Sequence, residues 1–131
     1  MLYSFLIYSA EGIHDRLSPD EQEITLDQHR SLQADLSEKG DFATARLMPI
    51  SNAITVKGQT DPKQKPLVVD GPFAETKEQF VGFYLVEHET LEEAIVTAER
   101  ISSPYHSIEI RPVMWSGGTL SDMNPVGATP N

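Results

Sequence analysis

The break between two apolar runs in the middle of the chain constrains the fold more than any other feature. The first run, Leu67–Val69, favours a strand, and Gly71-Pro72 ends that strand because proline lacks the N–H of a strand ladder and restricts the preceding residue. The second run, Phe83–Val86, favours another strand that follows Gly82. The chain is therefore predicted to turn at Asp70 and to return as a strand.

The residues between these two runs form a charged segment. It carries an acid, a base and a second acid, at Glu75, Lys77 and Glu78. Asp70 and Gly71 favour turns on backbone grounds alone, so a solvated loop tip is one interpretation. Because loops held by a rigid scaffold often carry binding or catalytic side chains, a functional loop is the other interpretation.

Length and composition limit the classes of protein that this chain can represent. Its 131 residues predict a single domain, and the absence of cysteine excludes a disulfide framework or a thiol nucleophile, which fits a cytoplasmic location. The first apolar run, Leu2–Tyr8, is too short for a signal peptide or a membrane span, so no membrane association is expected. Twenty acidic and ten basic residues give a net charge of −10, which would repel a phosphate backbone and argues against nucleic acid as a partner.

Periodicity divides the first third of the chain into a strand and a helix. Leu2–Tyr8 is almost entirely apolar, which predicts a central strand with both faces covered. Ser18-Pro19-Asp20-Glu21 is a capping box with proline in the first turn, and it predicts a helix that continues to about Lys39. The apolar stripe of this helix is predicted to consist of Ile24, Leu32 and Leu36.

The remainder of the chain predicts further strands and one more helix. Phe42–Met48 reads as a strand, and Ala53–Lys57 is expected to pair with the strand before Asp70 as a hairpin, with Ile54 and Val56 facing inward. A second capping box, Thr90–Glu93, begins a helix through Ile101. Three further segments complete the prediction: a strand at Phe83–Glu87, a strand at Ser107–Val113 and, from residue 116, a Gly/Pro/Ser-rich tail.

The order of these elements predicts an α+β fold. Strand, helix, two strands, helix and strand is the β-α-β-β-α-β order of a ferredoxin-like sandwich, here with an extra hairpin inserted in the middle. Two helices cover only one face of such a sheet, and the other face is rich in apolar side chains that need a partner. We therefore predict one domain over residues 1–115, a tail over 116–131 and a homodimer formed through the open sheet face.

The segment Asp70-Gly71-Pro72-Phe73-Ala74-Glu75-Thr76-Lys77-Glu78 resembles the signature of the YCII-related, or DGPF-domain, family. The strand at Met1–Tyr8, the helix start at Leu17–Glu21 and the strand at Ile108–Val113 are similar to the same family, so the resemblance covers about residues 1–115. It implies a dimeric α+β barrel in which two sheets pack face to face with a cleft at each end. The family's genes often lie beside those for extracytoplasmic-function sigma factors.

Six residues are candidates for a site, and we predict that they converge on one polar cleft. Asp70 and His14 are candidate acid–base groups, since a buried carboxyl and a histidine can both exchange protons near neutral pH. Lys77 and Arg111 could hold an anion. Glu75 and Glu109 complete the set, although Glu109 and Arg111 could instead neutralise each other on their strand.

The sequence leaves two functions open. One is a small-molecule enzyme of proton-transfer or lyase type that acts on an anionic or hydroxylated substrate in a dimer cleft; relatives in the wider YCII-related group include a dehydrochlorinase of hydroxylated aromatics. The alternative is a non-catalytic metabolite- or protein-binding module linked to sigma-factor regulation. No cofactor fingerprint is recognised. The four histidines lack metal-ligand spacing, so no metal is expected.

Overall fold

The computed structural model describes residues 1–120, and most of the predicted tail, residues 121–131, lies outside this range. The described chain forms six strands and three α-helices, with a short 3₁₀ turn at Ile50–Asn52. The strands are β1 (Leu2–Ala10), β2 (Phe42–Arg46), β3 (Ile54–Lys57), β4 (Leu67–Asp70), β5 (Glu78–Glu87) and β6 (His106–Pro112). The helices are α1 (Ile13–Arg16), α2 (Pro19–Lys39) and α3 (Leu91–Glu99).

Four strands form one antiparallel sheet in the order β2-β5-β1-β6, and β3 pairs with β4 in a separate two-stranded sheet. With two main helices on one side of the larger sheet, this is the predicted ferredoxin-like α+β architecture with an inserted hairpin. Among the described residues the sheet does not close into a barrel. The ends of β1 and β2 and the starts of β5 and β6 lie at the same end of the sheet, because neighbouring strands are antiparallel. We call this the insert end, since residues 47–77 leave and return there.

Alternation along β1 builds the core. Tyr3, Phe5, Ile7 and Ser9 are buried, and the residues between them are only half-buried. From α2, Leu32 packs into the same core and is fully buried. Burying side chains of this size contributes about 1.5–3 kcal/mol each, so the helix-covered face of the sheet, here called the helix face, supplies most of the stabilisation.

Helix α2 begins where the capping box predicts. The Ser18 hydroxyl accepts a hydrogen bond from the Glu21 N–H, and the Glu21 carboxylate accepts one from the Ser18 N–H, both at 3.1 Å. These two bonds satisfy N–H groups that a helix start otherwise leaves unpaired. Of the predicted stripe, Leu32 and Leu36 are buried, but Ile24 is 59% exposed, because the covered side of α2 runs through Thr25 and His29 and Ile24 lies outside it.

The opposite face of the sheet carries half-exposed apolar side chains. Leu6 of β1 lies beside Phe83 of β5, which in turn lies beside Ala45 of β2. No helix of residues 1–120 packs on these side chains, so the prediction that both faces of β1 are covered is wrong for the single chain. We call this surface the open face; it consists of Leu2, Leu6 and Tyr8 from β1 and Phe80, Phe83 and Leu85 from β5.

The inserted hairpin pairs as predicted, but its side chains are not buried as predicted. Strand β4 belongs to the hairpin sheet and not to the main sheet, so only β5 anchors the charged segment to the main sheet. Ile54 and Val56 are each 65% exposed, whereas inward burial was predicted, because the hairpin has no core of its own behind it. The turn that follows β4 is nevertheless fixed. Gly71 has φ 100°, and its N–H donates to the Ala53 carbonyl at 2.8 Å. The Gly71 carbonyl accepts from the Thr55 hydroxyl at 2.7 Å.

A bulge near Val81 sets the register of β5 at the insert end. On one side of it Ile7 pairs with Gly82, and on the other side Tyr8 pairs with Phe80, so Val81 is the extra residue. The extra residue keeps Phe80 on the same face as Tyr8.

No helix within residues 1–120 combines the length and the apolar character that crossing a bilayer requires.

Candidate functional site

The charged segment after β4 lies beyond the insert end of the sheet. Asp70 is the last residue of β4 and is exposed, opposite Ile54. Glu75 and Lys77 are exposed in the connection to β5, and Glu78 is already the first residue of that strand. The structure thus places three of the predicted site residues on one short connection.

Glu109 and Arg111 lie on β6, on the open face of the sheet. Glu109 is opposite Leu6 and Arg111 is opposite Ser4. The Tyr8 hydroxyl donates to the Glu109 carboxylate at 3.3 Å, and among residues 1–120 no ion pair joins Glu109 to Arg111. Burial first, and then the negative charge of Glu109, raise the pKa of Tyr8, while Arg111 opposes the rise. The structure therefore groups Tyr8, Glu109 and Arg111, and convergence of this group with Asp70 stays a prediction.

A different set of polar residues meets at the insert end, on the helix face. His29 comes from α2, His106 from the start of β6, Arg46 from the end of β2 and His14 from α1. The charge of Arg46 acts on both His29 and His106, and that of His14 acts on His106, so the four side chains lie near one another. We call His14, His29, Arg46 and His106 the histidine cluster.

His29 is held by the buried hydroxyl of Tyr84. The Tyr84 oxygen lies 2.7 Å from His29 Nδ1, and the two rings stack with an interplanar angle of 13°. Gln33 Nε2 donates to the same oxygen at 2.9 Å. His29 and Gln33 are four residues apart on α2 and therefore project from the same side of the helix.

The positions of the Tyr84 hydroxyl proton and the His29 ring proton depend on which neighbouring groups donate hydrogen bonds. Tyr84 is only 1% exposed, so its hydroxyl proton needs a partner within the protein. Gln33 already donates to the oxygen, and the neighbouring Thr44 hydroxyl donates to the Phe83 carbonyl at 2.9 Å. With the Tyr84 O–H donating to His29 Nδ1, the proton of the neutral imidazole lies on Nε2, whereas a Tyr84 O–H donating to the Thr44 oxygen gives the other tautomer. Within the described residues Nε2 has no protein partner and is not buried, so its N–H is available to a ligand.

Burial keeps His29 neutral. The pKa of His29 is lowered to about 4, and burial is the largest cause of this shift. The charges of His106 and Arg46 act in the same direction. His106 is also shifted: burial, then Arg46 and His14, lower its pKa, and the Glu78 carboxylate partly opposes them. Arg46 is cationic, and the neutral histidines beside it can donate hydrogen bonds. Such a group favours an anionic ligand, because an anion would relieve the repulsion that further positive charge meets there.

The ring of His106 is also fixed by its surroundings. The Ser103 hydroxyl lies 2.9 Å from His106 Nδ1, and it accepts from the Tyr105 N–H at 3.1 Å. Backbone hydrogen bonds join Ser103 and His106 in both directions. The second histidine therefore has a defined orientation at the start of β6.

Sequence reasoning singled out only His14 from this cluster. His29 was expected to border the core, which its half-buried position confirms, but Arg46 and His106 were not selected. The available signal was topological. In a β-α-β-β-α-β fold, the end of the second strand and the start of the last strand meet at one end of the sheet, and both carry a cationic or titratable residue there.

Among residues 1–120, no three or more His, Asp or Glu side chains are arranged to hold a metal ion. The side chains of the cluster themselves offer hydrogen-bond donation by His29, charge from Arg46 and proton exchange at the remaining histidines.

Fold and site together define a small ferredoxin-like α+β protein with a cationic polar site at one end of its sheet. The chain belongs to the YCII-related family: the sequence model of the YCII-related domain matches residues 1–116. It is also similar to an uncharacterized protein of Rhizobium meliloti (strain 1021), with 36% identity over 117 residues that cover 86% of this chain and 92% of the relative.

Proposed function

We propose that this protein is a small-molecule enzyme of proton-transfer type that acts on an anionic substrate bound at the histidine cluster. The observation that carries the proposal is the 2.7 Å contact between Tyr84 and His29, from which we assign the imidazole as a neutral donor at Nε2. A neutral, oriented donor in a partly desolvated site stabilises an oxygen that gains negative charge during reaction, as an enolate does.

Arg46 supplies the permanent charge for such a substrate. It is exposed at the end of β2, and no described side chain forms an ion pair with it. A carboxylate bound by its guanidinium would bring a neighbouring carbonyl oxygen toward His29. Holding both groups at once contributes through positioning as well as through charge.

Two groups are candidates for the base that removes the proton. His14 is half-buried on α1, and its charge reaches His106, which places it at the cluster. Asp70 leads the motif segment that returns to Glu78 at the same end of the sheet. We propose His14 as the base, and Asp70, with Glu75 and Lys77, as a loop that closes over the substrate.

We further propose that the active form is a homodimer of the dimeric α+β barrel type, in which the open faces of two sheets pack together. The support is the row of half-exposed apolar side chains on strands β1 and β5, which a second sheet would bury. The segment from Asp70 to Glu78 supports membership of the DGPF branch of the family.

Exchange of carbon-bound hydrogen for deuterium tests the proposed reaction. The protein would be incubated in D₂O with 2-oxo and 3-oxo carboxylates, and exchange at the carbon next to the carbonyl would be followed by proton NMR. We expect the native protein to accelerate exchange for at least one of them, and Arg46→Gln and His29→Gln each to reduce the rate at least about tenfold, as expected for the loss of one oxyanion donor.

His14→Gln and Asp70→Asn then separate the two candidate bases. Both substitutions keep a similar shape, and asparagine retains the turn preference of Asp70. We expect His14→Gln to abolish exchange and Asp70→Asn to reduce it less. If no anion is exchanged but one is bound, with a rise in the pKa of His29, the alternative function as a non-catalytic metabolite-binding module replaces the enzyme.

A further inference from the structure

A second concave site lies on the other side of the insert end from the histidine cluster. It is an open cavity of about 580 Å³ between the inserted residues and the start of β5. Tyr8 of the open face forms one wall, and residues 47–53 and 72–80 form the others. This volume lies within the range of pockets that bind small organic molecules.

Aromatic and aliphatic side chains dominate the lining. Phe80 stands at the centre of an aromatic row: its ring lies 5.8 Å from Tyr8 and 6.5 Å from Phe83, centroid to centroid. Phe73, from the motif segment, contributes to the lining although it is 90% exposed, and Met48 is 68% exposed. Such exposure is costly for side chains of this size unless a ligand covers them.

The charge on the lining of the cavity has one sign, and behind its Tyr8 wall the charges of Glu109 and Arg111 oppose each other. Its lining contains no Lys, Arg or His, and its only carboxylate is that of Glu78. The Glu109 carboxylate lies behind Tyr8 and accepts the hydrogen bond from its hydroxyl. A net charge of −10 adds a negative field over the whole chain. An anion would therefore be repelled, whereas aromatic faces beside a carboxylate suit an organic cation.

We propose that this cavity is a binding site for an apolar organic cation, an amine or quaternary ammonium compound with an aromatic or aliphatic body. The body lies against Phe73, Phe80 and Met48, and the cationic group lies over the aromatic row near Glu78. The inference does not rest on the proposed proton-transfer function, because it requires a ligand of opposite charge, although the loop from Asp70 to Glu78 borders both sites and the Glu78 charge also acts on His106.

Three probes with one ring system and different charge test the site. These are 1-naphthylmethylammonium, neutral 1-naphthylmethanol and anionic 1-naphthylacetate, each titrated into the full-length protein with naphthalene fluorescence as the signal. We expect the cation to bind more tightly than the alcohol by about threefold or more, as a partly exposed cation–π contact provides, and the anion to bind most weakly. Phe73→Ala, at an exposed position that folding does not need, is expected to weaken both the cation and the alcohol.

Glu78→Gln and Glu75→Gln form a matched pair of variants, since both remove one carboxylate from the same stretch of chain and only Glu78 lines the cavity. Glu78→Gln is expected to weaken the cation about threefold and to leave the alcohol unchanged, and Glu75→Gln to change neither. His29→Gln is expected to leave binding intact.

The inference is overturned if the anion binds as tightly as the cation, if the two glutamate variants behave alike, if His29→Gln abolishes binding, or if no probe binds at about millimolar concentration. Dissociation of a dimer by the cation would also overturn it, since a second copy of the chain would then be the occupant.

Discussion

A single hydroxyl group determines which hydrogen bond the histidine cluster can offer. The Tyr84 oxygen accepts from Gln33 and lies against His29 Nδ1, so it joins two residues of α2 to the middle of β5. Removing the hydroxyl would free His29 Nδ1 to hold the proton and would leave the Gln33 amide without its partner. The tautomer of His29 is thus a property of the core and not of the histidine alone.

We predict that Tyr84→Phe changes both the tautomer and the stability. The free energy of unfolding should fall by about 1–2 kcal/mol, because the Gln33 N–H and His29 Nδ1 lose a buried partner. The nitrogen chemical shifts of His29 should move away from those of a pure Nε2–H form. Tyr3→Phe is the matched control, since Tyr3 is also buried in the core but forms no comparable bond within the described residues, and equal effects of the two variants would refute the assignment.

Stability should depend on pH through His29. The unfolded chain binds a proton at this histidine below the ordinary pKa of 6.5, whereas the folded chain does so only below about 4. Between these values the unfolded state holds more protons, so stability is fully present above pH 6.5 and is lost as the pH falls toward 4, by up to about 3 kcal/mol.

Urea unfolding at pH 7.0, 5.5 and 4.5 measures this loss. His29→Gln should show a smaller decrease over the same interval, because glutamine does not titrate. Identical pH profiles for the two proteins would mean that His29 has an ordinary pKa in the folded state. His88 and His106 are also shifted downward by burial, so a residual decrease in the variant is expected.

At the scale of elements, the inserted hairpin positions the motif turn although it adds nothing to the core. The Thr55 hydroxyl donates to the Gly71 carbonyl at 2.7 Å, and the Gly71 N–H donates to the Ala53 carbonyl. Strand β3 therefore holds both polar groups of Gly71, one residue after Asp70. The hairpin serves as a brace for the segment that resembles the family signature.

We predict that Thr55→Val loosens this turn without unfolding the domain. Valine keeps the shape and the strand preference of threonine but removes the donor, so the hairpin should lose about 1 kcal/mol of local stability. Amide hydrogen exchange at Gly71 should become at least a few times faster, while exchange in β1 stays unchanged. Thr60→Val, in the exposed turn of the same hairpin, is the control, and equal acceleration by both variants would contradict the role of the Thr55 bond.

The elements that the sequence predicts well are those whose signals are local. The capping box at Ser18 and Glu21 fixes the start of α2, and the apolar run Leu2–Tyr8 identifies β1 as a central strand, although not which of its faces is buried in the single chain. The exposure of Ile54 is not predictable in this way, because alternation states that two faces differ but not whether a core lies behind either of them. Arg46 and His106 are 60 residues apart in sequence, so their proximity becomes visible only once the strand order is known.

At the scale of the whole molecule, the two faces of the sheet differ in what they bury. The helix face holds fully buried side chains such as Phe5, whereas Leu6 and Phe83 on the open face remain half-exposed. A second sheet on this face would remove apolar area from water at about 25 cal/mol per Å². Association of two chains through this face is therefore the expected state.

We predict that light scattering gives twice the chain mass of 14.6 kDa at micromolar concentration, and that Leu6→Lys gives a monomer. The lysine would place its ammonium group among the apolar side chains of the interface, where the cost of burying the charge exceeds what the cross-strand Glu109 returns. Ile24→Lys, on the exposed side of α2, is the control and should remain dimeric. A native protein that is monomeric under these conditions would refute the homodimer.

Gly82 bears on how the family can vary. A methyl group at this position would lie 2.7 Å from the Ala45 carbonyl oxygen and 3.4 Å from the Cα of Arg46. Any larger residue would push β2 away from β5. Arg46, at the end of the edge strand β2, would then move outward. The distance between the guanidinium and the imidazole of His29 is thus adjustable by one small side chain. Under the proposed function, a relative with a larger residue at this position would bind a substrate of different length without any change in the reacting groups themselves.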